Sequence, residues 1–222
     1  MTIVIQAQDD DEYNPDRQAP GIEKYRFCMG HSKAEKVESH DRIVKVASER
    51  FRELGVDGIG VADLMQEAGL THGGFYRHFG SRDDLVTEAI ERALRDGSQG
   101  AFDAVAKSKL PKQALLFALV DWYLSIGHRD GRATGCAVTA LAGDVARSGE
   151  RARSAYTRQV DAYLDLFMTL INGDKPKPKR AKAITAWATL VGAVSMARAV
   201  NDDKLSREIL KTASDELKAL LG

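Results

Sequence analysis

Residues 61–79, VADLMQEAGLTHGGFYRHF, read as two short helices joined by a tight turn. Leu64, Met65 and Ala68 fall at helical spacing and define an inward face for a first helix over 61–68. Gly69 stands where the chain must turn sharply, a place that suits a residue able to take positive φ. Leu70 is positioned to plug the angle between the helices, and Thr71 is a suitable N-cap for a second helix over 72–79. Phe75 and Phe79, four apart, are available to the core, which leaves His72, Gly73, Tyr76 and Arg77 for the outer face. The layout is that of a DNA-reading helix-turn-helix. Glycines at the start of such a helix cost stability, and they let the backbone approach a phosphate or a groove wall.

Working outward, Ile43, Val46, Ala47, Phe51 and Leu54 give a 3.6-residue pattern ending at Gly55. On the other side, Ser81 caps a helix that carries Leu85, Val86, Ala89, Ile90, Ala93 and Leu94, with Asp83 and Asp84 in its first turn, where the helix dipole favours them. With these flanks, residues 39–90 resemble the N-terminal DNA-binding domain of the TetR family of bacterial repressors. Four features match in order: an amphipathic first helix ending in Phe51 and Leu54-Gly55, the helix-turn-helix, the Phe-Tyr-Arg-His-Phe recognition segment, and the Gly80-Ser81-Arg82 entry to a long fourth helix. The resemblance implies a homodimer that binds a palindromic double-stranded operator and releases it when a small molecule enters the C-terminal domain.

Base reading and phosphate clamping are separate tasks. His72, in the first turn of the recognition segment, is the first choice for a base contact. Thr71, Gly73 and Gly74 bring backbone or a short side chain to the DNA. Tyr76 fits the family's phosphate-contacting tyrosine, Arg77 and His78 are further contacts, and Arg82 at the start of the fourth helix is placed for an anion. Packing against neighbouring helices is the alternative for Tyr76 and His78. His31, His40, His72 and His78 are spaced by 9, 32 and 6, which fits no metal-ligand pattern, so no metal or cofactor is expected.

The remainder predicts an all-α chain of about nine helices: residues 1–32 as a disordered extension, 33–80 as the DNA-binding domain, and 81–222 as the ligand-binding and dimerisation domain. Helices are expected over about 112–126, 138–147, 150–171, 180–200 and 204–221. Gly127, Gly131 and Gly135 punctuate a loop, and NGDKPKPKR forms an exposed turn. A largely apolar effector is expected among Phe117, Val120, Trp122, Leu124, Cys136, Tyr156, Val160, Tyr163 and Phe167. The resemblance places the dimer contact on the last two helices, where Ile184, Trp187, Leu190, Val191, Val194, Leu205, Ile209 and Leu217 are the candidates.

Composition narrows the rest. The chain has 222 residues, is 44% hydrophobic and carries no formal net charge. Residues 31–80 hold seven Lys and Arg against eight carboxylates, so bulk charge does not itself argue for DNA. Cys28 and Cys136 make neither a disulfide framework nor a zinc site; Cys136 is read as a buried thiol, with redox sensing as the alternative. No apolar run approaches a membrane span and no basic signal start is present, so a cytoplasmic protein is expected, with no membrane partner. No nucleophile elbow or phosphate loop points to an enzyme. A small-molecule-binding helical enzyme or a protein-binding adaptor is the rival to a DNA-binding regulator.

Overall fold

A computed structural model describes residues 33–173 and 175–222; the expected extension over 1–32, with Cys28 and His31, lies outside the described residues. Among the described residues the chain is all-α, without strands. Nine α-helices, α1 (Lys33–Leu54), α2 (Val61–Glu67), α3 (Arg82–Lys107), α4 (Lys112–Tyr123), α5 (Ile126–Asp130), α6 (Ala137–Ala146), α7 (Glu150–Leu170), α8 (Pro176–Ala199) and α9 (Asp203–Leu221), are joined by two 3₁₀ segments, Val56–Gly58 and His72–Arg77.

The number nine is reached by different elements from those expected. The recognition segment is a 3₁₀ helix, while the short helix α5 occupies the start of the stretch expected as a loop around Gly127, Gly131 and Gly135. Adjacent Gly73 and Gly74 have the largest backbone entropy to lose, which weakens the case for an α-helix there. Helix α3 runs straight past Gly97 and Gly100 to Lys107. Helix α8 begins at Pro176, four residues earlier than expected, because a proline in the first helical turn forfeits no intrahelical hydrogen bond.

The helix-turn-helix is built as its sequence dictates. After α2, Gly69 has φ 72°. Its N–H donates to the Gln66 carbonyl at 2.9 Å, and that of Leu70 donates to the Met65 carbonyl at 2.8 Å. These are the two bonds of a Schellman cap, which satisfy carbonyls that the helix end leaves open. Leu64, Met65, Ala68, Phe75 and Phe79 are buried against Ile43, Val44, Ala47 and Phe51 of α1. Each such large apolar side chain contributes about 1.5–3 kcal/mol.

Helix α3 ties this head to the rest. Ser81 caps it, its Oγ accepting the Asp84 N–H at 3.1 Å. Its first half packs on α1 through Leu85, Ala89 and Ile90, and its later turns meet α7, where Phe102 stacks on Tyr163. His40 of α1 lies 2.7 Å from Glu88 of α3, and Arg92 of α3 pairs with Asp41. Helices α4, α6, α7, α8 and α9 enclose the remaining core.

Candidate nucleic-acid interface and apolar cavity

The 3₁₀ segment buries Phe75 and presents Thr71, His72, Gly73, Tyr76 and Arg77 to solvent. Tyr76 is 76% exposed, though its ring meets Phe75 edge-on at 5.2 Å. Thr71 occupies the N-cap position with extended backbone, yet its hydroxyl makes no capping bond and stays available. Of these, Thr71, Tyr76 and Arg77 border a groove of about 560 Å³ whose other wall is Lys36 and Ser39 of α1, while His72 lies outside its lining. Lys36 is the cation that reading the sequence missed. Its signal is its place in the first turns of α1, off the apolar face that Ile43, Ala47 and Phe51 define.

Two expected contacts are placed differently. His78 is half-buried, its ring 6.1 Å from His40 and 6.3 Å from Phe79, so it packs the end of the segment against α1 while still bordering the groove. Arg82 is turned back onto the head: its guanidinium donates to the Val56 carbonyl at 2.6 Å and lies 3.4 Å from Asp57. An arginine already committed to a carbonyl and a carboxylate locks the 3₁₀ turn to α3; it is not held ready for a phosphate.

A second feature lies in the helical body. Trp122, Tyr123, Cys136, Tyr163, Phe167 and Trp187 line an apolar cavity, with Gly97 and Leu190 in its wall. Four of the expected effector residues, Trp122, Cys136, Tyr163 and Phe167, come together here. The other five do not. Phe117 sits near the C-terminal Gly222, Tyr156 donates to the Val138 carbonyl at 3.0 Å, Val120 and Leu124 are core, and Val160 is half-buried outside the lining. The cavity holds only about 20 Å³, the space of a single water. So small a space leaves no preformed room for the effector expected among these residues. Trp187 is the main reason: it stacks on Tyr163 at 4.1 Å and meets Phe167 and Tyr123 edge-on.

Burial also corrects the dimer expectation. Trp187, Leu190, Val194 and Leu217 are core of the single chain. Ile184 and Leu205 are exposed, at 48% and 43%, and Val191 and Ile209 are half-buried. From Ala183 to Ala197 helix α8 carries small and apolar residues nearly all round, so one face enters the core and the other remains outside.

The cavity wall is polar just behind its lining. Cys136 is buried and shares this lining with Tyr123 and Tyr163. Burial raises the pKa values of Tyr123 and Tyr163 and pushes that of Tyr156 up to about 12, so all three phenols stay protonated. The buried imidazole of His128 has Nδ1 2.6 Å from the Tyr123 carbonyl, and its Nε2 accepts the Cys136 N–H at 3.1 Å. Nδ1 therefore carries the proton and the ring is neutral. On the far side, Arg52 of α1 donates to the Gly135 carbonyl at 3.4 Å and to that of Ser48, while Arg198 donates to the His128 and Arg129 carbonyls. The loop ending at Gly135 thus touches both the head and the cavity.

His128 carries a pH prediction. Burial is the main cause that lowers its pKa, aided by the positive charge of Arg198 and opposed by the bond to Tyr123. A histidine with a lowered folded pKa is stabilising above its unfolded value of about 6.5, and that stability is lost as pH falls. The melting temperature should hold between about pH 8 and 7 and decline below about pH 6.5. In His128→Gln the decline should be shallower from a lower starting point. Equal slopes for the two proteins in calorimetry would remove His128 from this role.

Residues 43–89 match the sequence profile of bacterial regulatory proteins, tetR family. This segment is a TetR-family DNA-binding domain. The chain is 32% identical over 78 residues to the HTH-type transcriptional repressor KstR2 of Rhodococcus jostii, a segment covering 35% of this chain and 38% of the relative. Curated relatives are matched over 31–38% of their length. Solved structures extend the likeness, in fold, to most of the chain. Reduced E. coli NemR aligns with TM-score 0.69 at 18% identity over 83% of this chain and 97% of that one. A TetR transcriptional regulator from Chloroflexus aurantiacus aligns with TM-score 0.69 at 23% identity, covering 84% and 95%. No helix of the described residues is long and apolar enough to cross a membrane.

Proposed function

We propose that this chain is a cytoplasmic transcriptional repressor of the TetR family that binds a palindromic operator as a homodimer and is released by a small molecule. Residues 33–80 form the reading head and residues 81–222 the effector and dimerisation half. The observation that carries the reading is the outward face of the 3₁₀ segment: Thr71, His72, Tyr76 and Arg77 stand exposed over a packed helix-turn-helix, with Lys36 across the groove. His72 reads a base edge in the major groove. Gly73 and Gly74 let the backbone approach closely. Thr71, Tyr76, Arg77 and Lys36 contact phosphates, and His78 positions the segment. Exposed Ile184 and Leu205, flanked by Val191 and Ile209, supply the apolar stripe of the dimer contact. The effector enters beside Trp122, which is 51% exposed at the cavity rim, and parts α3 from α7.

Sequencing DNA fragments retained by the purified protein tests the reading, with recovery of a two-fold symmetric site as the expected result. On that site His72→Ala should alter base preference, at about 1–3 kcal/mol for the contacted pair. Tyr76→Phe and Lys36→Ala should weaken all sequences alike, and Lys36→Ala should reduce the salt slope by about one. Arg82→Ala should lower stability and leave the salt slope unchanged. Titration against matched and mismatched sites at several salt concentrations measures all four. Unaltered binding in His72→Ala, Tyr76→Phe and Lys36→Ala together would sink the reading face.

A further inference from the structure

We infer that the effector is a neutral, largely apolar molecule that presents a hydrogen-bond acceptor oxygen, a carbonyl or an ether, to the indole N–H of Trp187. The inference rests on the effector reading above and adds the chemistry of recognition. Trp187 lines the cavity and is buried, and its Nε1 has no hydrogen-bond partner. An indole nitrogen only donates, and a buried donor left unmade is costly, so a native protein retains one chiefly where something else supplies the acceptor.

The neighbouring polar groups are already engaged. The Tyr123 hydroxyl lies 2.5 Å from that of Thr139, the Tyr163 hydroxyl donates to the Gly97 carbonyl at 3.5 Å, and the Cys136 N–H donates to His128. Trp187 is the open donor in this wall. Charge is settled by the same wall. No Lys, Arg, Asp or Glu lines the cavity. Two guanidinium groups behind it, of buried Arg52 and half-buried Arg198, are spent on backbone carbonyls. A carboxylate or phosphate entering here would lose its water and gain no facing cation, whereas a neutral oxygen loses far less.

The chain contains two tryptophans, so its ¹⁵N spectrum holds two indole signals, and Trp187→Phe assigns them. Full-length protein is titrated with acetophenone, with ethylbenzene of similar shape and no oxygen, and with benzoate. Acetophenone should move the Trp187 indole proton downfield and bind about tenfold more tightly than ethylbenzene, the gain of one hydrogen bond. That advantage should vanish in Trp187→Phe, and benzoate should bind more weakly than either. Equal affinities for acetophenone and ethylbenzene in the unmodified protein, or a preference for benzoate, overturn the inference without need of the variant. If no probe binds, cavity and inference fall together. If the probes bind in the expected order but leave operator affinity unchanged, the recognition chemistry stands and the effector reading fails.

Discussion

Leu190→Asp is expected to unfold the chain, whereas Ile184→Asp, six residues earlier on the same helix, is expected to leave it folded and monomeric. Leu190 is 0% exposed and lines the closed cavity, so an aspartate there is a charge without water or partner. Truncation to alanine alone costs about 2–5 kcal/mol at such a site, and the buried carboxylate adds to it. That consumes most of the roughly 5–15 kcal/mol by which a domain is stable. Ile184 is 48% exposed in the single chain, so its replacement costs folding little and instead places like charges across the proposed two-fold axis. Urea unfolding and light scattering together decide. A folded, monomeric Leu190→Asp would mean that the inner face of α8 is the dimer contact after all.

Gly135→Val should be the second severe change, and Gly100→Ala should act with the opposite sign. A Cβ on Gly135 would stand 2.9 Å from the Gly131 carbonyl oxygen, 3.0 Å from the Arg198 guanidinium and 3.3 Å from His128 Nε2. The first neighbour is backbone and cannot swing aside, so overpacking costs roughly 1–3 kcal/mol and the branched methyl groups bring it to the upper end. Gly100 lies within α3 with nothing within 4 Å of an added Cβ. Alanine there should stabilise by about 1 kcal/mol through helix propensity. Matched urea midpoints for Gly135→Val and the unmodified chain would show that the loop yields freely.

The reading head was legible because its signals are local. A glycine at φ 72° after α2, apolar positions 64, 65, 75 and 79, and a serine capping α3 each act within a few residues, and each stands where the sequence put it. What escaped depends on partners distant in the chain. The apolar residues of α8 mark a helix but do not say which side meets α7 and which is left outside, so Trp187, Leu190 and Val194 were assigned to a dimer when they are core. Trp187 could not be placed in the cavity without knowing that α4, α6 and α7 converge on it. Arg82 looked available because its acceptor, the Val56 carbonyl, lies 26 residues away and is a backbone atom that carries no side-chain signature.

The tightness of the aromatic cavity sets a population problem for any effector. With only about 20 Å³ open, the conformer able to hold a molecule the size of a substituted benzene is a minor one. If it makes up about 1% of the ensemble, observed affinity is about a hundredfold weaker than the affinity of that conformer. Association then waits on opening and falls below the ordinary range of about 10⁵–10⁷ M⁻¹s⁻¹. The Tyr163–Trp187 stack thereby acts as a threshold on effector concentration. Loosening it would make the switch more sensitive at the expense of the stability of the closed form.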